Sequence, residues 1–420
     1  MIAAARGSRI LMCAVVIAAG CRAPAPPVVA PATAPRPAPD LPVTPVTGLE
    51  PDYRTLPTLD PTTTNAADVA TAPPGYRAVS EEVCRREAAA RAPAALVLSR
   101  EGVDDAADAL GCTSPETQPV RRLGHELRTH LAAVARNRAA LQALEYYFQM
   151  ADAEGREELA RASLGTLDQL RVIVRKAKAD GLRVPVDPDD LDRQRGTVLG
   201  LLGQADLAAK AVDIELKRRL GVPAATIERL RPTGTFAVSA TPVKLDLAVQ
   251  TALEERGDLR ALRAAYLDLS SETLESAREI LRGSIPGLHR PITSRPTPSS
   301  LAKLARRRMP SVPDAAALAE VAILRQQLFD VIADRERTAA DEVRETAAAV
   351  DAQGKQVGLA RWRADQLIKK AADAKGKGPL VELPAELEAL RARAEVVAAV
   401  MTWHQGRVRL DAAQGLLGGE

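Results

Sequence analysis

At 420 residues the chain is long enough for two or three domains, yet its 46% hydrophobic content is carried by Ala, Leu and Val, with only 2% aromatic residues. Such a composition favours long helices that meet along narrow apolar seams over a thick globular core. The 57 basic and 54 acidic residues leave a formal net charge of +3, and no basic block is interleaved with aromatics, which excludes nucleic acid as an expected partner.

Arg6 and Arg9 precede the apolar run Ile10 to Ala19. This run is shorter than the roughly 18 residues of a membrane span, so residues 1–20 read as a secretory signal. The sequence Ala-Ala-Gly-Cys that ends at Cys21 resembles the lipobox of bacterial lipoproteins, which implies a lipidated Cys21 as the mature N-terminus. Residues 21–75 hold nearly half of the 30 prolines and are expected to form an extended, polyproline-like tether, because proline at that density neither donates backbone hydrogen bonds nor packs a core. Lipid at Cys21 would leave Cys84 and Cys112 in an oxidising compartment, either as a disulfide or as two unpaired small core residues.

The body reads as helix. Leu123, Leu127, Leu131, Val134, Leu141, Leu144 and Phe148 recur at helical steps, and no proline interrupts Val120 to Leu182, a run of about 90 Å as helix. The stretch "GLRVPVDPDDL" then forces a reversal, and Pro188, Asp189 and Asp190 start a return helix to Leu220. The second half repeats this: helix from Asp314 to about Ala374, a break at "GKGPLVELPAEL", and a final helix to about Leu417. Setting the two returns against each other aligns Pro188 with Pro384, Asp190 with Glu386, Leu191 with Leu387 and Arg195 with Arg391. A repeat of this length points to a duplicated helical hairpin. The expected fold is mainly α: hairpin repeats over residues 76–230 and 251–420, joined by a linker over 231–250 whose best strand candidate is Thr235 to Ala240.

Signs of chemistry are sparse. "HELRTH" spaces His125 and His130 five apart, whereas a helical zinc site needs four, so a solvated helix face is expected. There is no phosphate-binding glycine loop and no nucleophile elbow, so neither enzyme, metal nor cofactor is expected. Tyr146, Tyr147 and Phe148 read as packing within the hairpin. The basic run Arg306 to Arg308 suits either lipid headgroups or a solvated loop.

Two segments, Ala143 to Leu170 and "ALEERGDLRAL" (Ala252 to Leu262), resemble the TolC family of outer-membrane efflux proteins; the second is similar to its A-L-x-x-R-P-D-L element, with Gly257 in place of Pro. The resemblance implies a homotrimeric α-helical duct at the outer membrane, lipid-anchored with its body in the periplasm, acting with a periplasmic adaptor (membrane fusion) protein and an inner-membrane pump. It places adaptor docking at the hairpin tips, on Gly181, Leu182, Asp190 and Leu191 in one repeat and on Gly378, Leu380, Glu386 and Leu387 in the other. It also implies a membrane β-hairpin at residues 111–119 and 283–313, but neither place has room and pattern for two strands of about 9–11 alternating residues. The porin barrel is therefore expected to be missing or vestigial, and a coiled-coil lipoprotein without a conduit, structural or adaptor, is the alternative.

Overall fold

The computed structural model describes residues 56–57, 69–70, 75–99, 118–284 apart from 185, 224, 225, 235 and 240, and 315–418. The signal segment, Cys21, Cys112, Arg306 to Arg308 and most of both places expected to lack β-hairpins lie outside these residues. Within the tether, Leu56–Pro57 pairs antiparallel with Val69–Ala70.

A strand β1 (Tyr76–Ser80) leads directly into helix α1 (Glu81–Ala90), whose N-terminus is capped by the Ser80 hydroxyl accepting from the Val83 amide. The hairpins follow as expected. Helix α2 (Gln118–Ala179) runs 62 residues and returns as α3 (Pro188–Leu220). Helix α7 (Ala315–Ala374) runs 60 residues and returns as α8 (Pro379–Ala413), closed by a 3-10 turn at Leu416–Gly418. Helix α3 carries each boundary signal its sequence holds: Asp187 accepts from the Asp189 amide, Pro188 opens the first turn, and Gly221 ends the helix at φ +65°. The second return starts earlier than the repeat alignment implies. Pro379 takes the opening position there, and Pro384 lies inside the helix, past its first turn, where it removes the amide that would bond the Leu380 carbonyl.

Between the two hairpins lie three shorter helices, α4 (Leu245–Glu255), α5 (Gly257–Leu267) and α6 (Leu274–Ser284). The linker strand is β2 (Arg229–Thr233), six residues before the expected start, paired in parallel with β1 so that Tyr76 lies opposite Arg229 and Ser80 opposite Thr233. Glycine at 257 has a steric reason: a Cβ there would stand 2.5 Å from the His130 carbonyl oxygen of α2, too close for any side chain unless the backbone shifts.

The four long helices form a row in the order α3, α2, α8, α7, each packed on the next. Its seams hold separate apolar clusters. One lies at the tips, one at the far end around Leu123, Leu127, Leu262 and Leu328, and the largest at the belt where β1, β2 and the linker cross the row. No helix among the described residues is long and apolar enough to cross a membrane.

Candidate functional site

The first tip is built by backbone signals. The Leu182 amide donates to the Ala177 carbonyl at 2.9 Å and the Gly181 amide to the Lys178 carbonyl at 3.1 Å, with Gly181 at φ +74°, a Schellman ending that only glycine adopts without strain. The second tip turns through Gly376 at φ +79° and Gly378 at φ +103°.

The structure separates the eight predicted tip residues into two groups. Gly181, Leu182, Asp190 and Glu386 lie on the surface, with Leu182 63% exposed and Asp190 ion-paired to Arg193. Leu191 and Leu387 are buried at 2% and 5% exposure in one cluster with Val174, Val198 and Leu383, and half-buried Leu380 packs on it. The tips of both repeats therefore share one apolar seam, tied on its surface by Arg391 donating to Gln194 at 3.2 Å. Gly378 is half-buried at the head of α8.

Along the row, α2 is recessed between α3 and α8, leaving a groove of about 750 Å³ in which Val198 and Leu201 face Ala394 and Ala398. The outer edges of the row are also apolar. Helix α3 turns Leu191, Val198, Leu216 and Leu220 toward α2, and its opposite face carries Gly196, Gly200, Gly203, Leu207 (68% exposed) and Ile214 (66%). A Cβ on any of these three glycines would meet nothing within 4 Å. Each glycine in a helix interior costs about 1 kcal/mol relative to Ala, so the protomer by itself gains nothing from them. Helix α7 buries Val343, Ala347, Val350, Val357 and Ala364 and presents Leu359 (68%) and Trp362 (65%) on the opposite face.

The belt holds the polar chemistry, and the sequence did not reveal it. Glu154 of α2 is buried between Arg231 (3.2 Å) and Arg229 (3.4 Å) of β2, and both guanidinium groups lie over the Tyr76 ring of β1. Burial pushes the Glu154 carboxyl up to about 7, against the pull of Arg231 and Arg229. Asp213 pairs with Lys217 at 2.7 Å and accepts from the Leu230 amide at 2.8 Å, which holds the strand in place. The aromatic trio packs against the linker as well as the hairpin. The Tyr147 hydroxyl donates to the Thr233 carbonyl at 2.8 Å, and Phe148 stacks on His404 of α8 at 5.0 Å, with Phe236 edge-on to both rings. Burial, and to a lesser degree Arg361, lower the His404 pKa to about 4.

His125 is exposed, but His130 is half-buried, 3.9 Å from Glu126, and burial lowers its pKa. Among the described residues no cluster of three or more His, Cys, Asp or Glu has the arrangement of a metal site. Cys84 is fully buried with a free thiol whose pKa burial raises strongly; its possible partner Cys112 is not among the described residues.

No protein-family model matches the chain, and no curated protein sequence is significantly similar to it. Solved structures are. The open-state MtrE outer membrane channel of Neisseria gonorrhoeae superimposes with a TM-score of 0.55 at 13% identity, over 87% of this chain and 90% of that one. CusC, described for its transmembrane channel formation, gives 0.54 at 10% identity over 80% and 91%. The outer membrane protein VceC of Vibrio cholerae gives 0.50 at 13% identity over 80% and 96%. At these identities the likeness is one of architecture: this chain has the fold of the TolC family of outer-membrane channels.

Proposed function

We propose that the chain is the outer-membrane component of a trans-envelope efflux or export system, a homotrimer whose helical rows close into a hollow duct. The observation that carries this reading is the open row: α3 and α7 end it on opposite sides, and each turns apolar side chains away from its own protomer. Two different edges on one chain suit head-to-tail contacts that close a ring. Lipid at Cys21 would anchor the assembly, residues 21–75 would tether it, and the body would stand in the periplasm with its tips directed to an adaptor protein and an inner-membrane pump. The sequence of residues 111–119 and 283–313, which has neither room nor pattern for membrane strands, favours the second reading, a periplasmic structural or adaptor lipoprotein without a conduit.

The full chain in detergent is expected to run as a trimer and to image as a threefold ring with an open centre. A monomer or a solid bundle would sink the duct. For the tip, Leu182→Glu is expected to leave folding intact, because Leu182 is exposed and outside the apolar seam, while abolishing adaptor capture and drug resistance. Unchanged resistance would count against docking at this tip.

A further inference from the structure

A cavity of about 440 Å³ lies at the belt, where the linker residues Val238, Pro242 and Val243 stand against α7 and α8. Its size falls within the roughly 300–1,000 Å³ of small-molecule pockets. The linker is held to α7 by the Val243 amide, which donates to the Asp351 carboxylate at 3.3 Å. Helix α7 lines the space from Val350 to Arg361, about 15 Å of helix, and Trp403 and Arg407 line it from α8. So small a volume spread over that length is a narrow slot. Two glycines of α7, one turn apart, keep it open. A Cβ on Gly354 would stand 3.5 Å from the Trp403 indole nitrogen, and one on Gly358 would meet nothing within 4 Å. Glycine weakens a helix interior, and here it withholds the side chains that would fill the slot.

The charge of the lining is one-sided: three cations, Lys355, Arg361 and Arg407, face one carboxylate, Asp351. Asp351 is engaged by the Val243 amide, and Arg407 pairs with Asp411 at 3.4 Å. Further along α7, Arg363 pairs with Glu395 and Lys370 with Glu388. Neither Lys355 nor Arg361 has a carboxylate within ion-pair distance among the described residues, and the Arg361 Nε is buried without a hydrogen-bond partner there. A buried guanidinium N–H without an acceptor is costly, and a charge-assisted bond to an anion removes that cost.

We propose that this slot binds small organic anions with a flat or extended apolar body, carboxylates above all. The charged end pairs with Arg361, and the body lies along Gly354 and Gly358 against Trp403. Every wall belongs to one protomer, so the site stands whether or not copies of the chain close into a ring.

The test uses the full chain in a non-ionic detergent with Trp362→Phe, which removes an exposed indole and leaves Trp403 as the only tryptophan. The probe is para-bromobenzoate, whose bromine quenches indole fluorescence on contact, with uncharged para-bromobenzyl alcohol as its control. Saturable quenching by the carboxylate is expected, with affinity at least tenfold weaker for the alcohol and for the carboxylate on Arg361→Gln. Gly358→Leu, which adds a side chain where the protomer has room, is expected to abolish saturable quenching while preserving the helical circular dichroism. Quenching that rises linearly without saturating, or that is equally strong for the alcohol, overturns the proposal. So does a carboxylate affinity unchanged by both Arg361→Gln and Gly358→Leu. The comparison of carboxylate with alcohol needs neither of these two variants, so it decides the matter even if one of them fails to fold.

Discussion

Glu154→Leu is expected to destabilise the folded chain by about 3–5 kcal/mol, the range for removing one partner of a buried ion pair. Arg229 would keep Glu157 at 3.7 Å and Asp206 at 3.8 Å, but Arg231 has no second carboxylate within ion-pair distance among the described residues. It would be left charged beneath the belt with only the Tyr76 ring, 5.7 Å away, as its recorded favourable contact. The penalty is that of the stranded charge and does not measure what the pair contributes. The double variant Glu154→Leu, Arg231→Leu is therefore expected to recover most of the loss, since packed apolar residues replace buried pairs at little cost. Urea denaturation of the two variants checks this; equal losses for single and double would refute it.

Replacing His404 with Phe is expected to flatten the acid limb of the stability profile. The imidazole titrates at about 4 in the folded chain against 6.5 for the exposed group, so between these values the unfolded chain binds more protons. Stability from this site is complete above pH 6.5 and is lost as the pH falls through the window, by about 3 kcal/mol in total. Glu154 works in the opposite sense: its carboxyl is raised to about 7, so its contribution is present below the unfolded value of 4.5 and is lost as the pH rises. The difference between wild type and His404→Phe isolates the histidine. Unfolding midpoints at pH 7.5, 6, 5 and 4.5 give the comparison, and parallel profiles would rule the histidine out.

The long helices were legible because a proline-free run with apolar steps of three and four has few other solutions. The helix expected from Asp314 to Ala374 spans Ala315–Ala374 in the structure. The tips were legible from their glycines and prolines, although Pro384 lies inside its helix where the aligned Pro188 opens one. The belt was not legible. Arg229–Thr233 reads as a charged, proline-containing loop, and it becomes a strand because Tyr76–Ser80 pairs with it from far away in sequence and Glu154 and Asp213 receive its side chains and amide. The division of the tip leucines was hidden for the same reason. Nothing local distinguishes Leu182 from Leu191; the difference arises when the second repeat arrives and covers only one of them. The glycines of α3 were visible as letters, but their meaning depends on which face of the helix lacks a neighbour.

A wall one helix thick has no interior, and this accounts for the scarcity of aromatic residues. A seam between two helices accepts Ala, Val and Leu, whereas a ring needs a third layer, and Tyr147, Phe148, Phe236, Trp403 and His404 gather at the belt, where the linker supplies one. Resistance to local opening is then graded along the molecule. Amides near the belt are expected to be released only when the whole chain unfolds, while those of the hairpin arms, held by single apolar seams, are expected to open in smaller units. The arms can flex at a fixed root, so the tips can move without disturbing the layer that holds the repeats together.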